Sequence, residues 1–234
     1  MKTLRILSII ITIIGILSLG FLYMQMDKPK PVRLNKGKET VASVIAKIDS
    51  PAYKRWQPEF QRLNINVNDI TYLKFIALKQ EKIFEIWVRA NNQWMKLRQM
   101  PILGASGGMG HKLKQGDWQV PEGLYKLDYF NPNSQAHLSL HINYPNADDK
   151  AWAASEGRRN LGGDIMVHGS RFSIGCLAMG NVGAEDIFWL VYKVGLKNND
   201  IIISPYDMRK KILPFPKGRL GERYQKIKTA LENF

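Results

Sequence analysis

The residues of this 234-residue chain best suited to nucleophilic chemistry are its one cysteine, Cys176, and a histidine shortly before it, His168. They lie in Asp164-Ile-Met-Val-His168-Gly-Ser170-Arg-Phe-Ser173-Ile-Gly175-Cys176-Leu-Ala-Met179. A thiol with a pKa of about 8.5 holds only a few per cent thiolate at neutral pH. An imidazole within hydrogen-bond reach can take its proton and later return it to a leaving group. Gly169 and Gly175 let backbone approach a substrate closely, and amides near Cys176 could stabilise an oxyanion. Spacing alone also fits a structural histidine beside a buried, unreactive cysteine.

These residues need elements to hold them. Ile165-Met166-Val167 predicts a short buried strand that delivers His168, and Gly175-Cys176 leads toward a helix over Ala184 to Val194. That helix has Ile187, Leu190, Val191 and Val194 at helical spacing, with Glu185 and Asp186 near its positive end. Upstream, Glu39–Ile48 and Tyr53–Leu63 predict two helices punctuated by Ser50-Pro51. Tyr72–Ile76, Ile83–Val88 and Trp94–Leu97 predict a strand meander with turns at Gln80-Glu81 and Asn91-Asn92. A Pro121-Glu122-Gly123 turn opens another strand, Ile201–Ile203 forms a last one, and an amphipathic helix begins near Leu220.

Two other motifs carry less. Ser106-Gly107-Gly108-Met109-Gly110 is glycine-rich, but no Lys-Ser/Thr or helical pattern follows it, so it reads as a rim loop rather than a phosphate cradle. His137, Ser139 and His141 alternate with Leu138, Leu140 and Ile142 as a strand does. On a strand, positions four apart are separated by about 13 Å, too far for one ion, so a polar groove face is expected and a metal is not. A single cysteine excludes an internal disulfide and multi-thiolate metal sites.

Lys and Arg number 34 against 20 Asp and Glu, a formal charge of +14 that favours anionic partners. Zinc-finger spacing, RNP-like aromatics and long basic blocks are all missing, which argues against nucleic acid. Ile6 to Met24 is an almost unbroken apolar run behind Lys2 and Arg5, long enough for a membrane anchor or a signal segment. The apolar Phe21, Leu22 and Met24 beyond Ser18-Leu19-Gly20 favour an uncleaved anchor. Lys28, Lys30, Arg33, Lys36 and Lys38 oppose export by charge count, whereas the short basic start followed by an apolar segment is the export layout, and export is the expectation. The implied organisation is a signal or anchor at 1–26, a linker at 27–38, a helical extension at 39–67, a catalytic domain at 68–207 and a basic, helix-bearing tail at 208–234.

The His168-Gly169 and Ser173-Ile174-Gly175-Cys176 motifs resemble those of the L,D-transpeptidase (YkuD-type) catalytic-domain family. The short loop and Gly-Cys-Leu-Ala-Met look like its YafK-like branch. Pro101-Ile102 through Ser106-Gly107-Gly108, Gly116-Asp117, Gln119-Val120-Pro121-Glu122-Gly123 and Tyr144-Pro145-Asn146-Ala147 resemble that branch in order. The likeness extends over roughly 68–207.

It implies an α+β fold, a β-rich mixed sheet or sandwich with a few flanking helices. It implies Cys176 as nucleophile, His168 as general base, Gly169 and Ser170 as its orienting residues, and Ser173 and Gly175 shaping an oxyanion pocket. Tyr144, Arg159 and Arg171 are implied to bind substrate. Arg158, Arg159 or Arg171 would replace the arginine that most members carry where Ala178 stands.

The implied activity, in cell-wall biogenesis and cell shape, is a Cys176 thioester with a peptidoglycan stem peptide at diaminopimelate, passed to an amine, without metal or cofactor. The alternatives are a hydrolase of the same fold, acting as an L,D-carboxypeptidase or as an amidase releasing a wall-linked lipoprotein, and a non-catalytic wall-binding module. The implied location is the periplasm or cell envelope, anchored to the inner membrane by residues 6–24.

Overall fold

The computed structural model describes residues 29–211 and 213–234. The fold described is that of Val32–Phe234. The expected anchor at 6–24 lies outside the described residues. Among those described, no helix is long and apolar enough to cross a membrane.

The architecture is α+β, as expected, with two five-stranded mixed sheets. The first has the order β3-β2-β1-β10-β5, from β1 (Ile70–Leu78), β2 (Ile83–Ala90), β3 (Gln93–Pro101), β5 (Gly123–Tyr125) and β10 (Asn199–Ser204). The predicted meander is present as β1–β3, and Asn91 and Asn92, both at positive φ, make its second turn. β1 and β10 pair in parallel, and alternate residues serve opposite faces. Leu73, Phe75, Ala77, Ile201 and Ile203 enter the main core, while Ile76, Leu78 and Ile202 enter a second, smaller one. Both faces are covered, so Ile201–Ile203 reads as an unbroken apolar run.

The second sheet, β4-β9-β8-β7-β6, is built from β4 (Gly104–Ala105), β6 (Leu127–Asn131), β7 (Ser139–Ile142), β8 (Met166–His168) and β9 (Leu177–Ala178). Cys176 therefore leads first into a short strand, β9, which two residues give too little pattern to foresee. The helix α3 (Asn181–Val194) begins only after Gly180.

Where two helices were expected at 39–63, one continuous helix, α1, spans Val41–Leu63. Thr40 and Ser43 cap its start reciprocally, and Asn64 ends it in the left-handed region. Pro51 and Pro58 lie inside, yet Val44, Ile45, Ile48, Ala52, Trp56 and Phe60 keep one buried face across them. Burial of that face outweighs the roughly 3 kcal/mol that an interior proline costs a helix. α1 shares the main core with both sheets, and Arg55 binds Asp186 of α3 at 2.7 Å, so this segment is part of the same packed body. α2 is Ala147–Ser155, and α4, Arg219–Leu231, buries Tyr224, Ile227 and Leu231 against the outer face of the first sheet.

Candidate functional site

The parallel pairing of β8 and β9 brings the two sequence-distant ends of the motif together. Val167 pairs with Leu177 and His168 with Ala178. Cys176 precedes Leu177, so it sits beside Met166, whose N–H points at Sγ from 3.4 Å. Sγ also lies 3.6 Å from the Asp164 carbonyl. Leu177 and Val167 face the core. Cys176, just before β9, is thereby brought alongside β8, whose face away from Val167 carries Met166 and His168. The same face continues across β7 and β6, because His168 pairs with Ser139, Met166 with His141, and His141 with Tyr129. The expected polar strand face is present at Ser139 and His141 as a band leading away from Cys176, whereas His137 lies before β7 at φ 76° and off that face. His141 bonds Asp128 at 2.6 Å and stacks on Tyr129, while His137 bonds Glu185 at 2.8 Å.

His168 is buried, and its Nδ1 hydrogen-bonds the Gly169 carbonyl. That bond fixes the proton on Nδ1 and leaves Nε2 as the basic nitrogen. Burial lowers the His168 pKa below its usual value. Burial also raises that of Cys176, as does the Asp164 charge, against the smaller lowering effects of the Met166 N–H and of Lys112. The resting pair is accordingly neutral thiol and neutral imidazole. No hydrogen bond joins the two side chains, a looseness that catalytic pairs often show before substrate arrives.

The loop between them is tightly held. Gly169 admits no side chain, because a Cβ there would lie 2.4 Å from the Ala136 carbonyl and 2.7 Å from Asn181 Oδ1. Ser170, at φ 65°, donates its N–H to Asn181 Oδ1 at 2.8 Å, and its carbonyl accepts from Gly180. Ser173 Oγ is a hub. It accepts from the N–H groups of Ser106 at 3.2 Å, Gly175 at 3.2 Å and Cys176 at 3.1 Å, and donates to the Cys176 carbonyl at 2.7 Å. The Gly175 and Cys176 amides expected to face an oxyanion are thus engaged by Ser173 in this state. Gly175, at φ 130°, lies against the Gln119 carbonyl and Ile165.

Other expected residues divide. Arg159 and Arg171 are exposed, and no ion pair holds them among the described residues. Arg158 is tied to Glu156 at 2.7 Å and to the Leu113 carbonyl at 2.8 Å. Tyr144, implied as a substrate contact, is 2% exposed, with its hydroxyl donating to the Lys112 and Leu161 carbonyls. Its polar atom serves two backbone segments beside the site. Ala178 is fully buried between His168 and Gly104, a place without room for an arginine side chain.

The sequence reading gave no role to Gln119. Its amide donates to the Gly110 carbonyl at 2.8 Å, and its carbonyl meets Gly175. Its place in Gln119-Val120-Pro121-Glu122-Gly123 was the available signal. Nor did it single out the exposed apolar rim of Phe172 (86%), Ile174 (75%), Trp118 (65%) and Met109 (57%), carried by the two loops that meet at Gly175 and Gln119.

The fold and site define an α+β domain in which a thiol just before one strand lies alongside the parallel strand that carries an imidazole, at the end of a polar sheet face. No family model matches the chain. It is 36% identical over 115 residues to the Escherichia coli (strain K12) protein provisionally named L,D-transpeptidase YafK, and equally so to that of Escherichia coli O157:H7. The alignment covers 48% of this chain and 44% of the relative, so the chain spans less than half the length of these curated relatives. Over that stretch the chain is similar to a relative named as an L,D-transpeptidase, which agrees with the YafK-like resemblance of its motifs.

Among solved structures it is similar to the helical cell shape determining protein Pgp2 from Campylobacter jejuni, at 21% identity and TM-score 0.48, covering 64% of this chain and 55% of that one. It is also similar to Bdellovibrio bacteriovorus Bd1075, at 22% identity and TM-score 0.42, covering 70% and 56%. Scores and identities this low add nothing to the assignment.

Proposed function

We propose that this chain is a peptidoglycan L,D-transpeptidase-type cysteine enzyme that acylates Cys176 with a stem peptide. His168 Nε2 takes the thiol proton as Sγ attacks the carbonyl at the L-centre of diaminopimelate. The tetrahedral intermediate collapses, the same proton passes to the departing D-alanine amine, and a thioester remains. An amine acceptor then attacks the thioester and gives its proton to Nε2. His168 returns that proton to Sγ as the new amide forms. Burial that holds the pair neutral suits this sequence, because the imidazole starts as a base and becomes charged only as the thiolate attacks.

The observation that carries the reading is the β8–β9 pairing. It brings Cys176, just before β9, alongside the strand that ends in His168, whose Nδ1 is held by the Gly169 carbonyl. The polar face running through His141 to Tyr129 offers an extended peptide a floor. The proposed location is the cell envelope, with residues 6–24 as inner-membrane anchor, a reading supported by the apolar run behind Lys2 and Arg5.

The test is incubation of the full chain, in mild detergent, with tetrapeptide muropeptides. The expected result is an adduct on Cys176 with release of D-alanine, followed by new dimers, and neither with Cys176→Ala. Tripeptide without dimers would assign the chain to the hydrolase reading, in which water replaces the amine. A Cys176→Ala protein of full activity would overturn the mechanism.

A further inference from the structure

The C-terminal helix α4 ends the chain on the face of the first sheet away from the main core, and nothing in the proposed chemistry uses it. Two of its side chains are buried polar groups, and both reach the same residue. Tyr224 donates its phenol to Glu122 Oε2 at 2.8 Å. Arg223 donates to the Glu122 carbonyl at 2.9 Å and to Asp149 Oδ1 at 2.8 Å.

Glu122 is fully buried, and its other carboxylate oxygen accepts from Lys79 Nζ and from the Gly110 N–H, each at 2.9 Å. Lys79 Nζ donates in addition to the carbonyls of Gly110 at 3.1 Å and Val120 at 2.9 Å. The Glu122 N–H donates to His111 Nδ1 at 3.1 Å. Both ends of the segment from Gly110 to Glu122 are thus clamped to one carboxylate, and α4 supplies that carboxylate's remaining donor.

The clamped segment is a wall of the thiol site. Gln119 ties its amide to Gly110, and its carbonyl fills the space beside Gly175, where a Cβ would lie 3.4 Å from that oxygen. The Val120 N–H reaches the Ser106 carbonyl at 3.4 Å. Ser106 in turn donates to Ser173, the hydroxyl that holds the Cys176 amide and carbonyl. From Tyr224 to Cys176 the path consists of hydrogen bonds and one backbone contact.

We propose that Tyr224 and Arg223 of α4 are positioning residues for the Cys176 site, acting through Glu122 on the wall formed by residues 106–122. The consequence for acylation rests on the function proposed above, whereas the consequence for the thiol itself does not. Loosening the wall hydrates Sγ, so thiolate forms more readily. It also removes the fixed surface against which an acyl donor is aligned.

The two effects have opposite signs, and loss of folded protein mimics neither combination. The experiment measures the full chain in mild detergent as wild type, Tyr224→Phe and Glu122→Gln, two near-isosteric changes at one bond. Gln225→Ala, on the exposed side of α4, is the control. Iodoacetamide alkylation of Cys176 is followed by mass spectrometry from mildly acid to alkaline pH, and acylation by a carbapenem is timed on the same samples.

The expected result in both variants is alkylation about threefold faster near neutral pH, the thiolate gain from a pKa fall of about half a unit, with the profile moved toward acid. Acylation should be about tenfold slower. Folded variants whose alkylation profile superposes on that of wild type would overturn the proposal. Wild type that is alkylated yet never acylated would count against the enzymatic reading instead, with the alkylation comparison still deciding the role of α4.

Discussion

Ser173 offers the sharpest test of how the site is held. Its hydroxyl accepts three amide N–H groups, from Ser106, Gly175 and Cys176, and donates to the Cys176 carbonyl. Ser173→Ala deletes these four bonds, and the 3.1 Å bond between the Ser173 and Ser106 hydroxyls, without changing the backbone. A hydrogen bond contributes a net of about 1 kcal/mol, and a buried group left unpaired costs at least that. Ser106, Ser173 and Cys176 are half-buried, so water can serve some of the freed groups, whereas Gly175 is buried. Counting two of the four bonds as lost gives about 2 kcal/mol, or a fall in Tm of about 4–8 °C for a domain of this size. Displacement of Sγ should also slow Cys176 acylation about tenfold. Ser134→Ala, which loses one local bond to the Ala136 N–H, is the control for removing any loop hydroxyl. Thermal denaturation and carbapenem acylation on both variants decide the matter. A Ser173→Ala protein no less stable than Ser134→Ala would refute the hub.

Because burial lowers the His168 pKa below its usual value, the acid limb of acylation against pH should lie below that of a free imidazole. Burial holds His111 low as well, so both histidines bind more protons when unfolded. The stability they contribute is full above 6.5 and is lost as pH falls through their folded values, which melting curves across that range will report. Tyr144→Phe removes the donor to the Lys112 and Leu161 carbonyls and should cost about 1 kcal/mol in denaturant unfolding, with KM for tetrapeptide unchanged. Arg171→Ala and Arg159→Ala, at exposed positions, should leave Tm within about 1 °C and raise KM severalfold if they meet the substrate carboxylate; an unchanged KM in both removes them from the site.

The strand that carries His168 and most other strands were legible because their signals are local. His168 closes an apolar triplet that reads as a strand, and the β1–β3 meander announces itself through alternating apolar residues and paired asparagines. The supports were not legible, because they depend on register. Nothing near Gln119 in the chain says that its carbonyl will rest against Gly175. Tyr144 sits in a motif, which drew it toward a substrate role, and only packing reveals a hydroxyl occupied by two backbone carbonyls. Pro51 looked like a boundary because proline is read by its backbone cost, while the face running from Val44 to Phe60 that offsets this cost is visible only once the core is assembled.

Ala178 joins these two kinds of information. From the sequence it is a departure from the family pattern, an alanine where most members carry an arginine. In the fold it is fully buried, paired with His168 on one side and Gly104 on the other. A guanidinium could not be restored there without moving β4, so the departure is built into the sheet. The positive charge nearest in effect to the thiol is that of Lys112, which already binds Asp117 at 2.6 Å and the Lys114 carbonyl at 2.9 Å within the wall clamped by Glu122. The charge that favours the Cys176 thiolate therefore lies in the segment clamped by Glu122, whose carboxylate also accepts from Tyr224 of α4.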